Sequence, residues 1–454
     1  MMAVMVRGWM LPLIAILWCW PLTAAEEDRY QSTILENGLE LVLLPGRATP
    51  VVLLELVFRY GANVQVPGQN GWTQLHAQML FRSQEESPSQ FSYRERAREL
   101  GIEYSSLSQE EWTAVLISLA DDSLAAGLEF LLRTVRQPLL DKDEIAQERA
   151  MLLERMDQLE SATEFQLRRA ADHLLWGSSY RRQGRFSNRE SLEAATAEQL
   201  RLLQMRYIIP NNALLIVAGD FAREETVAQV EEIFGAWERG YDPFRTHPLP
   251  GYIHLLEDRD TVVVKPVASA EILLSWQGPG YLEDPKGVSA ASVCAALLNL
   301  RAGRFQSRLV TNGPLLQATA FYHPQRSIGP FTIRATALME NARQAVALLQ
   351  AEIDLLADPS YFSRRDYEHA SAGLQVQVAF RRDDIWTEVG ETAAGWALAG
   401  LGYVESYPDS LQAVTPADVR KCLSNYLIGQ PLVTAVMVDE GTGKSIILRE
   451  VLVP

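Results

Sequence analysis

Histidine is scarce in this sequence, and its spacing excludes the usual helical metal site. Only six histidines occur among the 454 residues, at positions 76, 173, 247, 254, 323 and 369. A zinc-binding helix needs two ligands on one face, three or four residues apart. No two of these histidines have that spacing, so no helix of the chain can carry a two-histidine zinc site.

Cysteine and basic residues are also in short supply. The chain has three cysteines, and its 41 Lys and Arg residues against 57 Asp and Glu residues give a formal net charge of −16. Cys294 and Cys422 lie among apolar neighbours in helical patterns and are expected to be buried free thiols. An acidic chain lacks the clustered Lys and Arg that phosphate contacts need, so nucleic-acid binding is not expected.

After its first 25 residues, the chain has no apolar run that approaches transmembrane length. Residues 1–25 carry Arg7, then the apolar run WMLPLIAILWCWPL, then the small residues of TAAEE. This order is typical of a secretory signal peptide, cleaved after Ala25, and it predicts a periplasmic or secreted protein. The alternative is a membrane anchor, but Pro12 and Pro21 bracket an apolar core shorter than the ~20 residues that a spanning helix needs.

Two stretches of the sequence repeat each other. SLEAATAEQLRLLQMRYIIPNNALLIVAGD, from residue 191, aligns with SLQAVTPADVRKCLSNYLIGQPLVTAVMVDE, from residue 410, at an offset of 410 − 191 = 219. Each copy predicts a helix capped by a threonine, Thr196 or Thr415, followed by a short break and an apolar strand. The repeat indicates two copies of one domain.

The rest of the chain extends this plan into an α+β fold. A hairpin pattern turns at Asn37-Gly38, and long helical patterns fill the middle of each half without strict alternation of strand and helix. We predict two homologous domains, each a mainly antiparallel sheet covered by helices on one face, related by a pseudo-twofold axis. The predicted segments are a signal peptide at 1–25, an N-terminal domain at 26–235, a linker at 236–258 and a C-terminal domain at 259–454.

The segment NGWTQLHAQMLFRSQ, residues 70–84, has the outline of a metal-binding helix without its ligands. Gln74 and Gln78 stand four residues apart on one face, but a neutral amide is a weak zinc ligand. His76 lies two residues from each and points to another side, where an ordinary, partly buried histidine is expected. Ala77 cannot accept a proton from water.

This segment resembles the inverted zinc motif H-x-x-E-H of the pitrilysin/insulinase metallopeptidases. The family context G-x-x-H-x-x-E-H-M-L-F reads GWTQLHAQMLF here, so Gly71 and the final M-L-F match. The resemblance puts Gln74 and Gln78 at the two histidine positions and Ala77 at the glutamate position. Glu154, in ERAMLLE, stands at the third ligand position, and we expect it to converge with Gln74 and Gln78.

Other family motifs occur in altered form. LGIEYSSLSQEEWT stands where the family has the strand that pairs with substrate, which implies an exposed sheet edge for extended peptides. Pro314 and Ala318 align with an Arg and a Tyr that help to hold substrate in the family. The implied peptide-binding residues at the sheet edge are Tyr104, Ser105 and Ser106.

The resemblance therefore implies a peptidase fold without catalytic residues and without bound zinc. Inactive chains of this family often accompany an active homologue, and the two together enclose a chamber. The sequence thus predicts a non-catalytic periplasmic subunit paired with an active metallopeptidase, which we expect to be encoded nearby. The alternatives are a stand-alone peptide-binding protein and, less favoured, a metalloendopeptidase with a divergent site. A serine hydrolase is not indicated, because the chain has no G-x-S-x-G.

Overall fold

The first half of the chain forms a six-stranded mixed sheet in the computed structural model, which describes residues 30–46, 49–81, 93–138, 140–177, 188–249 and 251–443. The predicted signal peptide lies outside these residues. The strands follow the order β1-β2-β6-β3-β5-β4, and neighbours pair antiparallel except for β2 with β6. They are β1 (Gln31–Ile34), β2 (Glu40–Pro45), β3 (Val51–Phe58), β4 (Glu103–Ser108), β5 (Thr113–Ala120) and β6 (Ala213–Gly219).

Most helices of the first half pack on one face of this sheet. The predicted hairpin turn joins β1 to β2 at Gly38, whose φ of 88° suits glycine. The helices are α1 (Trp72–Met79), α2 (Tyr93–Glu99), α3 (Leu124–Arg136), α4 (Lys142–Ser161), α5 (Thr163–Trp176), α6 (Arg189–Glu193), α7 (Ala197–Tyr207), α8 (Arg223–Phe234) and α9 (Pro243–Thr246).

The second half forms a five-stranded sheet in the order β7-β11-β8-β10-β9, with β7 and β11 parallel and the other neighbours antiparallel. Its strands are β7 (Arg259–Val264), β8 (Ser269–Gln277), β9 (Leu315–Tyr322), β10 (Pro330–Leu338) and β11 (Leu432–Val438). Its helices are α10 (Pro285–Leu298), α11 (Arg304–Gln306), α12 (Ala342–Leu355), α13 (Arg364–Asp383), α14 (Ile385–Ala399), α15 (Leu401–Gln412), α16 (Pro416–Tyr426) and α17 (Glu440–Gly443). The predicted α+β fold of two similar domains is confirmed.

The sequence repeat is visible in the element boundaries. Helix α16 begins 416 − 197 = 219 residues after α7, and β11 begins 432 − 213 = 219 residues after β6. Thr196 and Thr415 each cap their helix in a capping box, with Gln199 and Asp418 as the reciprocal partners. Such a box satisfies two backbone N–H groups that the first turn leaves without partners. Each repeat therefore supplies one capped helix and one central strand of a sheet.

The two halves exchange a helix, which the sequence analysis did not foresee. One face of each sheet packs on helices of its own half, and these faces form the two large cores. The other face of the first sheet is covered by α14, through Ala393 and Trp396. The other face of the second sheet is covered by α5, through Leu167 and Leu175. The expectation of helices on one face alone was therefore incomplete.

The segment between the sheets contacts both halves. Trp237 is buried in the core of the first half, whereas Tyr252 and Leu255 pack against the cluster beneath α5. The predicted domain boundaries at 236 and 258 stay predictions. Cys294 and Cys422 are free and buried, as predicted.

Candidate functional site

Helix α1 carries the degenerate motif and is held by contacts at its start. Gly71 caps it in the left-handed region with φ of 92°, a conformation that glycine adopts without steric cost. The indole N–H of Trp72 donates to the carbonyl of Ser191 at 2.8 Å. The helix packs against α4, α7 and β4. These contacts fix the positions of the two glutamines that follow.

The two glutamines have different surroundings. Gln74 is buried, and its Oε1 has no hydrogen-bond partner among the described residues. Gln78 is partly exposed, and its Nε2 donates to the backbone carbonyl of Ser106 at 3.5 Å, the long limit of a hydrogen bond. The degenerate motif therefore lies directly beside the predicted peptide-binding strand.

His76 is part of the core. Its ring is completely buried, with Nδ1 2.7 Å from the Tyr60 hydroxyl and Nε2 2.9 Å from Oε1 of Gln204. The Tyr60 ring in turn stacks on Tyr207, with 5.3 Å between the ring centroids. Burial lowers the pKa of His76 to about 4, so the ring is neutral near pH 7. The predicted ordinary histidine is confirmed, although it is more deeply buried than expected.

Glu154 lies on the exposed side of α4. The buried residues of that helix are Ile145, Glu148, Leu152 and Met156, at the spacing of one apolar face. Glu154 is two residues beyond Leu152, about 200° around the helix axis, and it is exposed. The carboxylate that α4 turns inward is therefore Glu148. Convergence of Glu154 with Gln74 and Gln78 stays a prediction.

These residues do not fit a zinc ion of the family type. Gln74 and Gln78 offer neutral amides, Ala77 offers no base, and both ring nitrogens of His76 already have hydrogen-bond partners. Within the described ranges, no three His, Cys, Asp or Glu side chains are grouped so that they could hold a metal ion. The donor set that polarises a water and accepts its proton is thus missing from α1.

Strand β4, which contains Tyr104, Ser105 and Ser106, is an edge of the first sheet. Ser105 is exposed, and the ring of Tyr104 lies 4.5 Å from that of Phe81, between centroids. An edge strand has unpaired backbone groups that can bind an extended peptide. The role of these residues in peptide binding stays a prediction.

The positions aligned with the family's substrate-holding pair do not form such a pair here. Ala318 lies in β9 with its side chain in the second core, 6% exposed. Pro314 precedes that strand. Nearby, Arg308 in the S-R-L sequence forms an ion pair with Glu352 at 2.7 Å. That arginine is therefore held within its own domain.

Two domains of this architecture, with a degenerate inverted-zinc helix beside an edge strand, define a metallopeptidase-like protein. The family model described as Insulinase (Peptidase family M16) matches residues 41–176. The model described as Peptidase M16 inactive domain matches residues 194–374. The chain belongs to the insulinase, or peptidase M16, family.

Solved structures show the same fold at low sequence identity. A protease from Helicobacter pylori is 16% identical, with a TM-score of 0.75, over 90% of this chain and 99% of that one. An M16-like peptidase from Alicyclobacillus acidocaldarius is 17% identical, with a TM-score of 0.79, over 90% and 98%. The first half of the periplasmic protease PqqL from Escherichia coli is 17% identical, with a TM-score of 0.77, over 94% and 95%. No curated protein matches the sequence significantly.

Sequence reasoning missed the partners of His76 and the surroundings of Asp172 on α5. Gln204 is 204 − 76 = 128 residues from His76, and no local pattern signals such a contact. Glu164, Arg168 and Asp172 recur every four residues, which marks one side of α5. The sequence gives no sign that this side faces the sheet of the other domain.

Proposed function

We propose that this chain is a non-catalytic M16 subunit that pairs with an active homologue and forms part of a peptide-processing chamber in the periplasm. The observation that carries the proposal is that α1 keeps its structure but has lost its catalytic residue types. The helix, its glycine cap and its contact with the edge strand are present, whereas Gln74, Ala77 and Gln78 replace the catalytic set. The local structure of the motif is kept, but the zinc ligands and the catalytic base are absent.

The losses remove more than one requirement of zinc-dependent hydrolysis. A zinc ion lowers the pKa of its bound water and polarises the scissile carbonyl, and a glutamate accepts the proton of that water. Two glutamines in place of imidazoles weaken metal binding, and alanine in place of the base removes proton transfer. His76 cannot substitute for either group, because its ring is enclosed by Tyr60 and Gln204.

A structural role in a pair explains why the frame persists. The open surfaces of two such domains can supply half the wall of a chamber whose other half carries zinc. An obligate interface of this kind buries about 2,000 Å² or more. The order of residues 1–25 supports export, and the fold resembles one half of a periplasmic protease. In the described part of the chain, no helix could cross a bilayer.

A stand-alone peptide-binding protein is the second candidate. It is favoured by β4, which lies at the sheet edge and exposes Ser105. In that case the chain would bind extended peptides without a catalytic partner. A metalloendopeptidase with a divergent site is less favoured, because α1 supplies neither ligands nor a base.

Coexpression with a neighbouring homologue that has an intact H-x-x-E-H tests the proposal. Size-exclusion chromatography with light scattering should show a heterodimer, and cleavage of a quenched fluorescent peptide should need both chains. A matched control carries Gln in place of the homologue's motif glutamate, which should abolish cleavage and leave the heterodimer intact. A homologue that is fully active alone and never coelutes with this chain would rule out the subunit role and favour peptide binding.

A further inference from the structure

A cavity of about 740 Å³ lies between α5 of the first domain and the open face of the second sheet. We call it the interdomain cavity. Its roof includes Leu167, Ala171 and Asp172 of α5, and its floor includes Leu273 of β8 and Arg334 of β10. The volume falls within the roughly 300–1,000 Å³ of typical small-ligand sites. The exchange of helices between the halves creates this space, and its lining includes no residue of α1.

One buried acceptor in the cavity wall has no hydrogen-bond partner. Gln325 is 5% exposed and lines the cavity, and its Oε1 has no partner among the described residues. A buried polar atom without a partner costs roughly 1–3 kcal/mol. A ligand that donates an N–H or O–H to this oxygen, once the Gln325 side chain turns it toward the cavity, would remove that cost.

The charged lining favours a cation. Four acidic side chains line the cavity against two arginines, which gives a formal lining charge of 2 − 4 = −2. Arg334 is already bound by Glu164 at 2.5 Å and by Glu271 at 3.4 Å. The side chain of the remaining arginine, Arg168, is 67% exposed. Its Nε lies 3.7 Å from Oδ2 of Asp172. This distance exceeds that of a good hydrogen bond, so Asp172 is free to accept from a ligand.

The surroundings of Asp172 agree with this assignment. Burial raises the pKa of Asp172 to about 7, and the charge of Glu110 adds to the rise while Arg168 opposes it. A cation bound next to the carboxylate would favour its ionised form and so gain binding energy. Asp172 and Gln325 line the same cavity from different domains.

Apolar side chains make up much of the remaining wall. Leu167, Trp176, Leu273, Phe321 and Met437 line the cavity beside the polar groups. Small inorganic cations gain nothing from such a lining, whereas an alkyl chain that carries the cation buries apolar surface there.

We propose that the interdomain cavity binds an ammonium or guanidinium group carried on an apolar chain, with Asp172 and Gln325 as its acceptors. A Lys or Arg side chain flanked by apolar residues in a peptide has this chemistry, and so has a free alkylamine. The site uses residues of this chain alone and does not depend on a catalytic partner. The cavity adjoins the end of β4, where Gln109 and Glu110 line it, and it would select basic peptides there.

Calorimetry with defined probes tests the proposal. The charged probe is acetyl-Leu-Lys-Leu-amide, and its neutral counterpart has norleucine in place of lysine. Hexylamine tests whether the free amine suffices. At about pH 8, where Asp172 is ionised, the lysine peptide should bind at least about tenfold more tightly than the norleucine peptide. If hexylamine binds as well as the lysine peptide, the site accepts amines in general. If the lysine peptide binds and hexylamine does not, the site is specific for peptides.

Two variants locate the binding. Asp172→Asn and Gln325→Met should each weaken the lysine peptide by about tenfold or more, because each removes a hydrogen bond to a charged group. Asp354→Asn is the matched control, since Asp354 is exposed on α12, which packs on the opposite face of the same sheet. That variant should bind like the wild type.

Amide hydrogen exchange of the wild-type protein, with and without the lysine peptide, tests the site without any variant. The lysine peptide should slow amide exchange in α5 and in β8, which enclose the cavity. Equal binding of the charged and neutral peptides, unchanged affinity in Asp172→Asn, or protection confined to β4 would overturn the proposal. None of these outcomes bears on the heterodimer, so failure here leaves the proposed subunit role standing.

Discussion

The hydroxyl of Tyr60 lies 2.7 Å from Nδ1 of His76 and points the histidine of the degenerate motif into the core. With Nε2 donating to Gln204, the neutral ring accepts the Tyr60 hydroxyl at its other nitrogen. Both polar groups are buried and satisfied. The histidine therefore contributes to the stability of the first domain and is unavailable to a metal.

Removal of the Tyr60 hydroxyl should destabilise the first domain. Tyr60→Phe leaves Nδ1 of His76 buried without a donor, which costs about 1–3 kcal/mol. Urea unfolding followed by circular dichroism measures the loss. Tyr241→Phe is the control, because Tyr241 is 90% exposed and its hydroxyl should contribute little. Equal stability of the two variants would contradict the role given to this hydrogen bond.

Glu55 should make the protein less stable as the pH rises. It is 5% exposed on β3, and burial raises its pKa from 4.5 to about 7. Between these values the folded state holds the proton that the unfolded chain has lost, so the free energy of unfolding falls with increasing pH. Above the folded pKa, the ionised carboxylate costs about 3 kcal/mol.

The measurement compares urea unfolding at several pH values for the wild type and Glu55→Gln. The variant should match the wild type in acid and exceed its stability above neutral pH, because an amide does not ionise. Glu103→Gln, at an exposed position of β4, should leave the profile unchanged. A wild-type profile that does not differ from that of Glu55→Gln would refute the prediction.

The exchanged helix α14 should couple the unfolding of the two domains. Trp396 is fully buried beneath the first sheet, and Arg59 lies over its ring at 3.9 Å from the centroid. Trp396→Ala should cost about 3–5 kcal/mol. Because α5 and α14 each pack on the other domain's sheet, both domains should lose stability together.

Hydrogen exchange in denaturant separates coupled from independent unfolding. Peptides from α3 and from α12 should lose protection at the same urea concentration, in the wild type and in Trp396→Ala. Trp386→Ala is the control on the same helix, since Trp386 is 49% exposed and should cost much less. Two separate transitions would show that the exchanged helices do not couple the domains.

Restoring the motif should restore zinc binding. The wild type should contain no stoichiometric zinc after dialysis, whereas the triple variant Gln74→His, Ala77→Glu and Gln78→His should bind about one zinc per chain. Elemental analysis measures both. About one zinc per chain in the wild type, with cleavage sensitive to a chelator, would contradict the proposed inactivity.

The same variant identifies the third ligand. Glu154→Gln, added to the triple variant, should weaken zinc binding by about tenfold or more if Glu154 converges with α1 as predicted. Glu148→Gln is the matched comparison, because Glu148 is the buried carboxylate of α4. A loss of zinc with Glu148→Gln but not with Glu154→Gln would show that the motif alignment chose the wrong glutamate.

Much of the fold could be predicted from the sequence because its signals are local. Threonine caps at Thr196 and Thr415, the Asn37-Gly38 turn and the apolar strands each express an intrinsic preference of a few neighbouring residues. The repeat at an offset of 219 then indicated two similar domains, which the element boundaries confirm. Loss of the ligands was also local, since Gln74, Ala77 and Gln78 are simply the wrong residue types.

Tertiary structure alone decided which surfaces meet. The apolar stripe of α5 or α14 shows that a helix is buried on one side, but its period is the same whichever sheet covers it. For that reason the sequence did not reveal the helix exchange, or the cavity in which Asp172 and Gln325 share one space. The side of α4 on which Glu154 lies also depends on how the helix is rotated against its neighbours, and packing fixes that rotation.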